Sequence, residues 1–227
     1  MIQGKVLRDE ADARAYVAQF ADQAALDRLD RLTAMLREEN ERQNLIAATS
    51  LPMAWLRHVA DSAQLLAHVP RETHYDEPWL DLGTGAGFPG LVIAALRPEW
   101  DVRLIESRRK RTDWLERVRM DLGLDRCSVV ASRLELVPSL PARVISARAF
   151  APMQKLIDLS ARFSTNRTIW LLPKGRSAAQ DLASLPESLS HLFHVEQSCT
   201  DPEAGIIVGR LEQAGTGLQS GPCSKRG

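Results

Sequence analysis

Four glycines follow a carboxylate at the end of a short apolar run. The segment reads W-L-D-L-G-T-G-A-G-F-P-G, from Trp79 to Gly90, with Asp81 before Gly83, Gly85, Gly87 and Gly90. Glycines at this spacing let a backbone turn sharply and approach a ligand that a Cβ would hold away. A second apolar run, Val102 to Ile105, ends in Glu106. That acid follows the glycines at roughly the 20-residue spacing at which a nucleotide-binding unit sets a carboxylate against a ribose. Together they suit a cofactor containing adenosine.

Two patterns overlap in the loop. Gly85, Gly87 and Gly90 satisfy G-x-G-x-x-G, a dinucleotide fingerprint that is weak when alone, and Asp81, Gly83, Gly85 and Gly87 satisfy D-x-G-x-G-x-G. The second is the pattern of proteins that bind S-adenosylmethionine. A dinucleotide needs its pyrophosphate at a helix N-terminus. S-adenosylmethionine has no phosphate, and offers an ammonium and carboxylate at one end and a ribose diol and adenine at the other. Asp81 suits the cationic end, directly or through water, and Glu106 suits the ribose hydroxyls as an acceptor. An acid after the third strand completes an adenine site, and Leu134-Glu135 stands there. The balance favours S-adenosylmethionine over a nicotinamide dinucleotide.

These residues need a scaffold. From Trp79 onward, apolar runs near 79–82, 102–106, 128–131, 143–147, 168–173, 192–198 and 205–211 read as strands. Helical patterns near 89–97, 109–122, 152–163 and 176–184 alternate with them, and Gly123 stands where a helix C-cap belongs. The alternation predicts an α/β fold with a mostly parallel seven-stranded sheet, covered on both faces. The last two strands have no helix between them and predict a hairpin that adds an antiparallel edge strand. Ahead of this unit, residues 9–42 read as helical, with Leu29, Leu32 and Leu36 on one face and Tyr16, Val17 and Phe20 on a shorter first helix. A further helix is expected from Ser50, as its cap, with Pro52 in the first turn, to about Ala67. It carries His58 and Asp61, three apart and so on one face, a spacing that ordinarily gives a local hydrogen bond. The expected organisation is a helical N-terminal extension, residues 1–75, packed on a core unit of residues 76–212. A Gly/Ser-rich tail, 213–227, holds too little apolar surface to order itself.

The 227 residues carry 29 basic and 29 acidic side chains, so bulk charge points to no nucleic-acid partner. Local charge is less even: Arg108, Arg109, Lys110 and Arg111 are consecutive, which is either a solvated helix start or a phosphate-contacting surface. Three scattered cysteines with no C-x-x-C pair give no metal or redox signature and suit a reducing, cytoplasmic setting. No signal peptide is read at the N-terminus, and no run approaches a membrane span.

Six motifs in order resemble the bacterial 16S rRNA guanine-N7 methyltransferases, the RsmG or GidB family. They are N-L-I-A at 44–47, R-H-V-A-D-S at 57–62, D-L-G-T-G-A-G-F-P-G at 81–90, S-R-L-E at 132–135, A-R-A-F-A at 147–151 and P-K-G at 173–175. The resemblance implies the Rossmann-like fold of class I S-adenosylmethionine-dependent methyltransferases. It implies methylation of one guanine in the 530 loop of 16S rRNA, within the small ribosomal subunit or its precursor. It also implies cofactor contacts at Gly83, Phe88, Leu134, Glu135 and Arg148. Phe88 stands where many members carry Leu, and Glu106 where many carry Asp.

Guanine N7 carries a lone pair and no proton, so its methylation needs no general base, and positioning does the work. Arg148 and Lys174 fall at the ends of the fourth and fifth predicted strands, where an open sheet holds its ligands. Both residue types read the O6/N7 edge of guanine. One of them is expected to steady O6 or a phosphate, with Arg148 also bounding the cofactor. His58, beside Asp61, is expected to close the cofactor mouth. Phe150 either stacks on a base or belongs to the core. A monomer is expected. The alternatives are a methyltransferase with a protein or small-molecule acceptor, a nicotinamide-dependent oxidoreductase, and a non-catalytic RNA-binding assembly factor.

Overall fold

A computed structural model describes residues 6–70, 77–148 and 150–211 of the chain. The expected tail at 213–227 and the expected boundary at 75/76 lie outside the described residues.

Helix α1 (Glu10–Val17) starts at Asp9, whose side chain accepts from the Asp12 amide, and α2 (Gln23–Asn40) starts at Asp22, which accepts from Ala25 at 2.8 Å. Leu29, Leu32 and Leu36 are wholly buried, as their spacing predicts. The next helical stretch is not the single regular helix expected. It runs as a 3-10 turn (Ala48–Met53), a π-helical turn (Trp55–Ala60), a short α3 (Asp61–Ala63) and a second 3-10 turn (Gln64–His68). Ser50 is not its cap. That position is Ala47, with no side-chain bond, and the Ser50 hydroxyl turns back to donate to the Ala47 carbonyl at 2.8 Å. Glu10 supplies part of the missing cap from a distance, accepting the amides of Trp55 (3.1 Å) and Leu56 (2.8 Å). Widened turns of this kind are frequent at functional sites.

The sheet then builds as β1 (Trp79–Leu82), α4 (Gly90–Leu96), β2 (Val102–Glu106), α5 (Arg109–Asp121) and β3 (Cys127–Ala131). It continues through a 3-10 turn (Leu134–Leu136) to β4 (Val144–Ser146), α6 (Met153–Ser160) and β5 (Ile169–Lys174). It ends with α7 (Ala178–Ala183), α8 (Glu187–Ser190), β6 (Phe193–Gln197) and β7 (Gly205–Gly209). The strand order is β3-β2-β1-β4-β5-β7-β6. All pairs among β1 to β5 are parallel, and β7 is antiparallel to both β5 and β6. The hairpin is present, but its antiparallel member lies one strand in from the edge. β6 closes the sheet instead.

Connections leave β1 in one direction for β2 and β3 and in the other for β4 and β5. The carboxyl ends of β1 and β4 therefore flank a topological switch point, where open α/β sheets hold ligands. One face of the sheet packs on α4, α5 and the N-terminal helices in a continuous apolar cluster, the other on α6 to α8. Every residue of α4 is buried. Arg28 of α2 donates to the Ala95 carbonyl (2.9 Å), and Arg97 donates to the Phe20 carbonyl (2.7 Å), so the N-terminal helices are tied to the end of α4 by hydrogen bonds as well as packing. Among the described residues no helix is long and apolar enough to cross a membrane.

Candidate active site

The glycine loop is pinned from beneath. Asp81, near the end of β1, has no exposed surface. Its Oδ2 accepts the Gly90 amide at 2.9 Å and the Thr84 hydroxyl, and its Oδ1 accepts the Ser146 hydroxyl at 2.8 Å. Burial pushes its carboxyl above the usual range, and these hydrogen bonds pull the other way. The motif suggests that Asp81 meets a cofactor's amino group. Its Oδ2 is turned into the loop and its Oδ1 toward Ser146 on β4, so the side chain ties the loop to the neighbouring strand. This has a second consequence. The Gly90 amide, one of the helix-start donors a dinucleotide's pyrophosphate would use, is already taken by this carboxylate.

Gly83 and Gly85 both adopt φ +62° and Gly87 φ +103°, a region costly for any residue with a Cβ. Space forbids one as well. A Cβ on Gly83 would lie 2.1 Å from the Phe150 ring, and one on Gly87 2.2 Å from Leu91. Phe150 thus lies against the loop, half-buried. Glu106, at the end of β2, accepts the Gly85 amide at 3.1 Å and the Ser107 and Arg108 amides at 2.8 and 2.9 Å. Leu134 is buried and Glu135 exposed on the turn after β3, next to β2 in the sheet.

Arg148 follows β4 on the other side of the switch point. Both of its terminal nitrogens lie 3.3 Å from His58 Nδ1, and one lies 3.5 Å from Asp61 Oδ2. Its guanidinium carbon is 5.5 Å from the centre of the Phe88 ring, against which the His58 ring also packs at 5.0 Å. His58 and Asp61 therefore do not bond each other, and their shared partner lies 90 residues away along the chain from His58. Burial first, then Arg148 and Arg57, push the His58 imidazole down to about 3. The ring is neutral at ordinary pH. A guanidinium has only donors, so Nδ1 must present its lone pair and the proton sits on Nε2. Nε2 is 3.0 Å from Ser50 Oγ, which receives it. A relay of fixed polarity thus runs from Arg148 through His58 and Ser50 to the Ala47 carbonyl. The irregular turns of 48–68 put Ser50 and His58 in register for it.

Beyond Arg148 opens a cleft of about 440 Å³, lined among others by His58, Asp61, Lys174, Asp181 and Thr200. Lys174 ends β5, and its Nζ is 3.0 Å from Asp181 Oδ2 on α7. At the mouth Arg57 pairs with Asp201 at 3.1 Å. Thr200 donates to Asp61 Oδ1 at 2.9 Å, which joins the turn between β6 and β7 to the His58 segment. The structure thus brings Arg148, His58 and Phe88 into contact and adds Lys174 along one cleft wall. Glu135 makes no side-chain bond to this group among the described residues. Asp181, Thr200 and Asp201 do not stand out in the sequence, and no local pattern marks them. Arg108, Arg109 and Lys110 are exposed at the start of α5, and an Arg111 guanidinium nitrogen would sit 2.7 Å from a Cβ on Gly85, so the basic run borders the glycine loop.

The family model for rRNA small subunit methyltransferase G matches residues 25–205. The ribosomal RNA small subunit methyltransferase G of Erythrobacter litoralis (strain HTCC2594) is 57% identical over 205 residues, covering 90% of this chain and 98% of that one. The protein of the same name from Novosphingobium aromaticivorans is 56% identical over 204 residues, covering 89% and 88%. Among solved structures, a point mutant of MtNAS in complex with S-adenosylmethionine superposes with a TM-score of 0.52 at 13% identity, over 88% of this chain and 77% of that one. A likeness that distant is one of fold.

Proposed function

The chain belongs to the rRNA small subunit methyltransferase G family, and on that premise we propose that it methylates N7 of one guanine in the 530 loop of 16S rRNA, within the small subunit or its precursor. It is an S-adenosylmethionine-dependent rRNA methyltransferase with the class I fold. When bound, S-adenosylmethionine supplies an electrophilic methyl group on a sulfonium. The glycine loop, Phe88, Glu106, Leu134, Glu135 and Arg148 would hold it, and transfer to the N7 lone pair would leave a neutral thioether and a cationic purine.

The chain's residues fit this chemistry. At its glycines the loop offers backbone with no side chains of its own, bordered by Phe150 at Gly83 and by Arg111 at Gly85. Asp81 holds the loop and takes up the Gly90 amide, one of the donors a dinucleotide's pyrophosphate would use, which counts against the nicotinamide alternative. Glu106 uses three of about four acceptor positions on backbone amides. The position left suits one ribose hydroxyl. Phe88 backs the site as a buried apolar ring against His58 and Arg148, and Leu134 and Glu135 follow β3, where an adenine is expected.

The observation that carries the proposal is the placement of Arg148. It stands between the glycine loop and the acceptor cleft, held by a neutral histidine, a carboxylate and the face of Phe88. No step removes a proton from N7, and the site offers no poised base: His58 has committed its one lone pair to Arg148. The charged groups lining the cleft are paired, Arg148 with Asp61, Lys174 with Asp181 and Arg57 with Asp201. Such a cleft accepts a neutral base that becomes cationic without opposing it by a net positive wall. The exposed residues Arg108, Arg109 and Lys110, with half-buried Arg111 beside the loop, suit RNA phosphates. We place the protein in the cytoplasm, acting as a monomer.

Calorimetric titration with S-adenosylmethionine and, separately, with a nicotinamide dinucleotide tests the cofactor assignment. The first binds and the second does not. Incubation with labelled S-adenosylmethionine and small subunits lacking the modification then puts label into the RNA. Label in protein instead would sink the acceptor assignment.

A further inference from the structure

We propose that the Lys174–Asp181 pair reads the O6/N1–H edge of the acceptor base and thereby selects guanine over adenine. The inference rests on the reading of this cleft as the acceptor site of an rRNA methyltransferase. Both purines carry an N7 lone pair, so the chemistry of methyl transfer does not itself choose between them. Their next two edge positions are opposite in kind. Guanine presents an acceptor, O6, followed by a donor, N1–H. Adenine presents a donor, its amino group, followed by an acceptor, N1.

Lys174 offers only donors and an ionised Asp181 only acceptors, and the two heads are 3.0 Å apart, side by side on the cleft wall. A donor beside an acceptor matches guanine and opposes adenine at both positions. Asp181 has spare capacity for this. Its Oδ2 holds Lys174, and its Oδ1 makes no hydrogen bond among the described residues, while the side chain stays about one-third exposed (31%). Lys174 is 10% exposed, so its ammonium is held in one place rather than sampling solvent.

The order of the groups follows the order of the sheet. The glycine loop leaves β1, Arg148 follows β4, Lys174 ends β5, and Asp181 lies beyond it on α7. In guanine N7, O6 and N1 succeed one another round the ring. A base entering with N7 toward the glycine loop therefore meets Lys174 at O6 and Asp181 at N1–H. The pairing also suits the charge that develops. A carboxylate next to N1 favours the cationic purine product, and the lysine opposes it little because Asp181 already balances it.

The test uses small subunits reconstituted with RNA carrying guanine, inosine or 1-methylguanine at the acceptor position. Inosine keeps O6 and N1–H; 1-methylguanine keeps O6 and loses the donor. The intact protein is expected to accept guanine and inosine and to show kcat/KM for 1-methylguanine lower by roughly 10–100-fold, the range of one good edge contact. Asp181→Ala lowers kcat/KM for guanine by a similar factor and brings the guanine to 1-methylguanine ratio to within about twofold. Asp181→Asn, which keeps the side-chain shape, narrows the ratio too, and calorimetric affinity for S-adenosylmethionine is unchanged in both. If either substitution lowers all three substrates by one common factor, the pair is only a strut between β5 and α7 and the proposal is overturned. It is equally overturned if the intact protein methylates 1-methylguanine as readily as guanine. Absence of transfer to guanine, with the cofactor bound, would instead refute the functional reading and take this inference with it.

Discussion

Replacing His58 with phenylalanine separates its two contributions. The ring packing on Phe88 is retained, and the lone pair that holds Arg148 is removed. A hydrogen bond to a charged group contributes about 1.5–3 kcal/mol. Here it is shared between two nitrogens at 3.3 Å, and Asp61 remains as a second acceptor at 3.5 Å, so the lower end applies. That converts to a loss of about tenfold in kcat/KM for methyl transfer to small subunits. The second effect is on stability. The His58 imidazole is pushed from an ordinary 6.5 down to about 3. Between those values the unfolded chain binds a proton that the folded chain refuses. Stability therefore falls as pH falls below 6.5, by at most about 1.4 kcal/mol per pH unit. His58→Phe removes this contribution, so its Tm should decline less between about pH 7 and about pH 5 than that of the intact protein. Differential scanning calorimetry at both pH values, with initial rates near neutral pH, reads both effects. Equal Tm declines together with an unchanged kcat/KM would refute the reasoning, because the imidazole would then be neither desolvated nor engaged with Arg148.

Gly83→Ala puts a Cβ where φ is +62° and the Phe150 ring lies 2.1 Å away. The backbone cost alone is about 1–2 kcal/mol, and affinity for S-adenosylmethionine should fall at least tenfold by calorimetry while circular dichroism still reports a folded chain. Reversing Arg108 and Arg109 to glutamate should weaken RNA binding and flatten the dependence of log K on log salt by about 0.7 for each single-strand phosphate no longer neutralised; an unchanged slope means the RNA lies elsewhere. Burial pushes the Cys127 thiol up to about 12, so it should resist alkylation at mildly alkaline pH until the protein unfolds, as mass spectrometry of labelled protein will show.

The sheet was legible because its strands are short apolar runs bounded by turn residues, and because the glycine loop must follow a strand end. The strands at Trp79–Leu82 and Val102–Glu106 fall where the apolar runs place them. The order in which the last hairpin inserts was not legible. Whether β6 or β7 pairs with β5 depends on how a long connection returns, and neither strand's composition declares it. The turns at 48–68 misled for a related reason. Their helical pattern is real, but the widening at Trp55–Ala60 is supported by Glu10, some 45 residues earlier. Arg148 and His58 were each noticeable as residue types, yet their contact spans two segments that no periodicity links. Asp81 shows the opposite limit. A motif marked it as functional, and only burial and three hydrogen bonds reveal that it ties the loop to β4. Asp181 is an ordinary acid on a short helix, and proximity to Lys174 alone gives it meaning.

The most direct measurement maps the methyl group. Small subunits from a strain lacking this gene are incubated with the purified protein and labelled S-adenosylmethionine, and N7-methylguanine is located in the RNA by chemical cleavage. The assignment of this chain as a guanine-N7 methyltransferase requires one new cleavage, at a guanine of the 530 loop, that disappears with Arg148→Ala. Cofactor binding without any N7-methylguanine, in mature subunits, precursor particles and naked RNA alike, would contradict it.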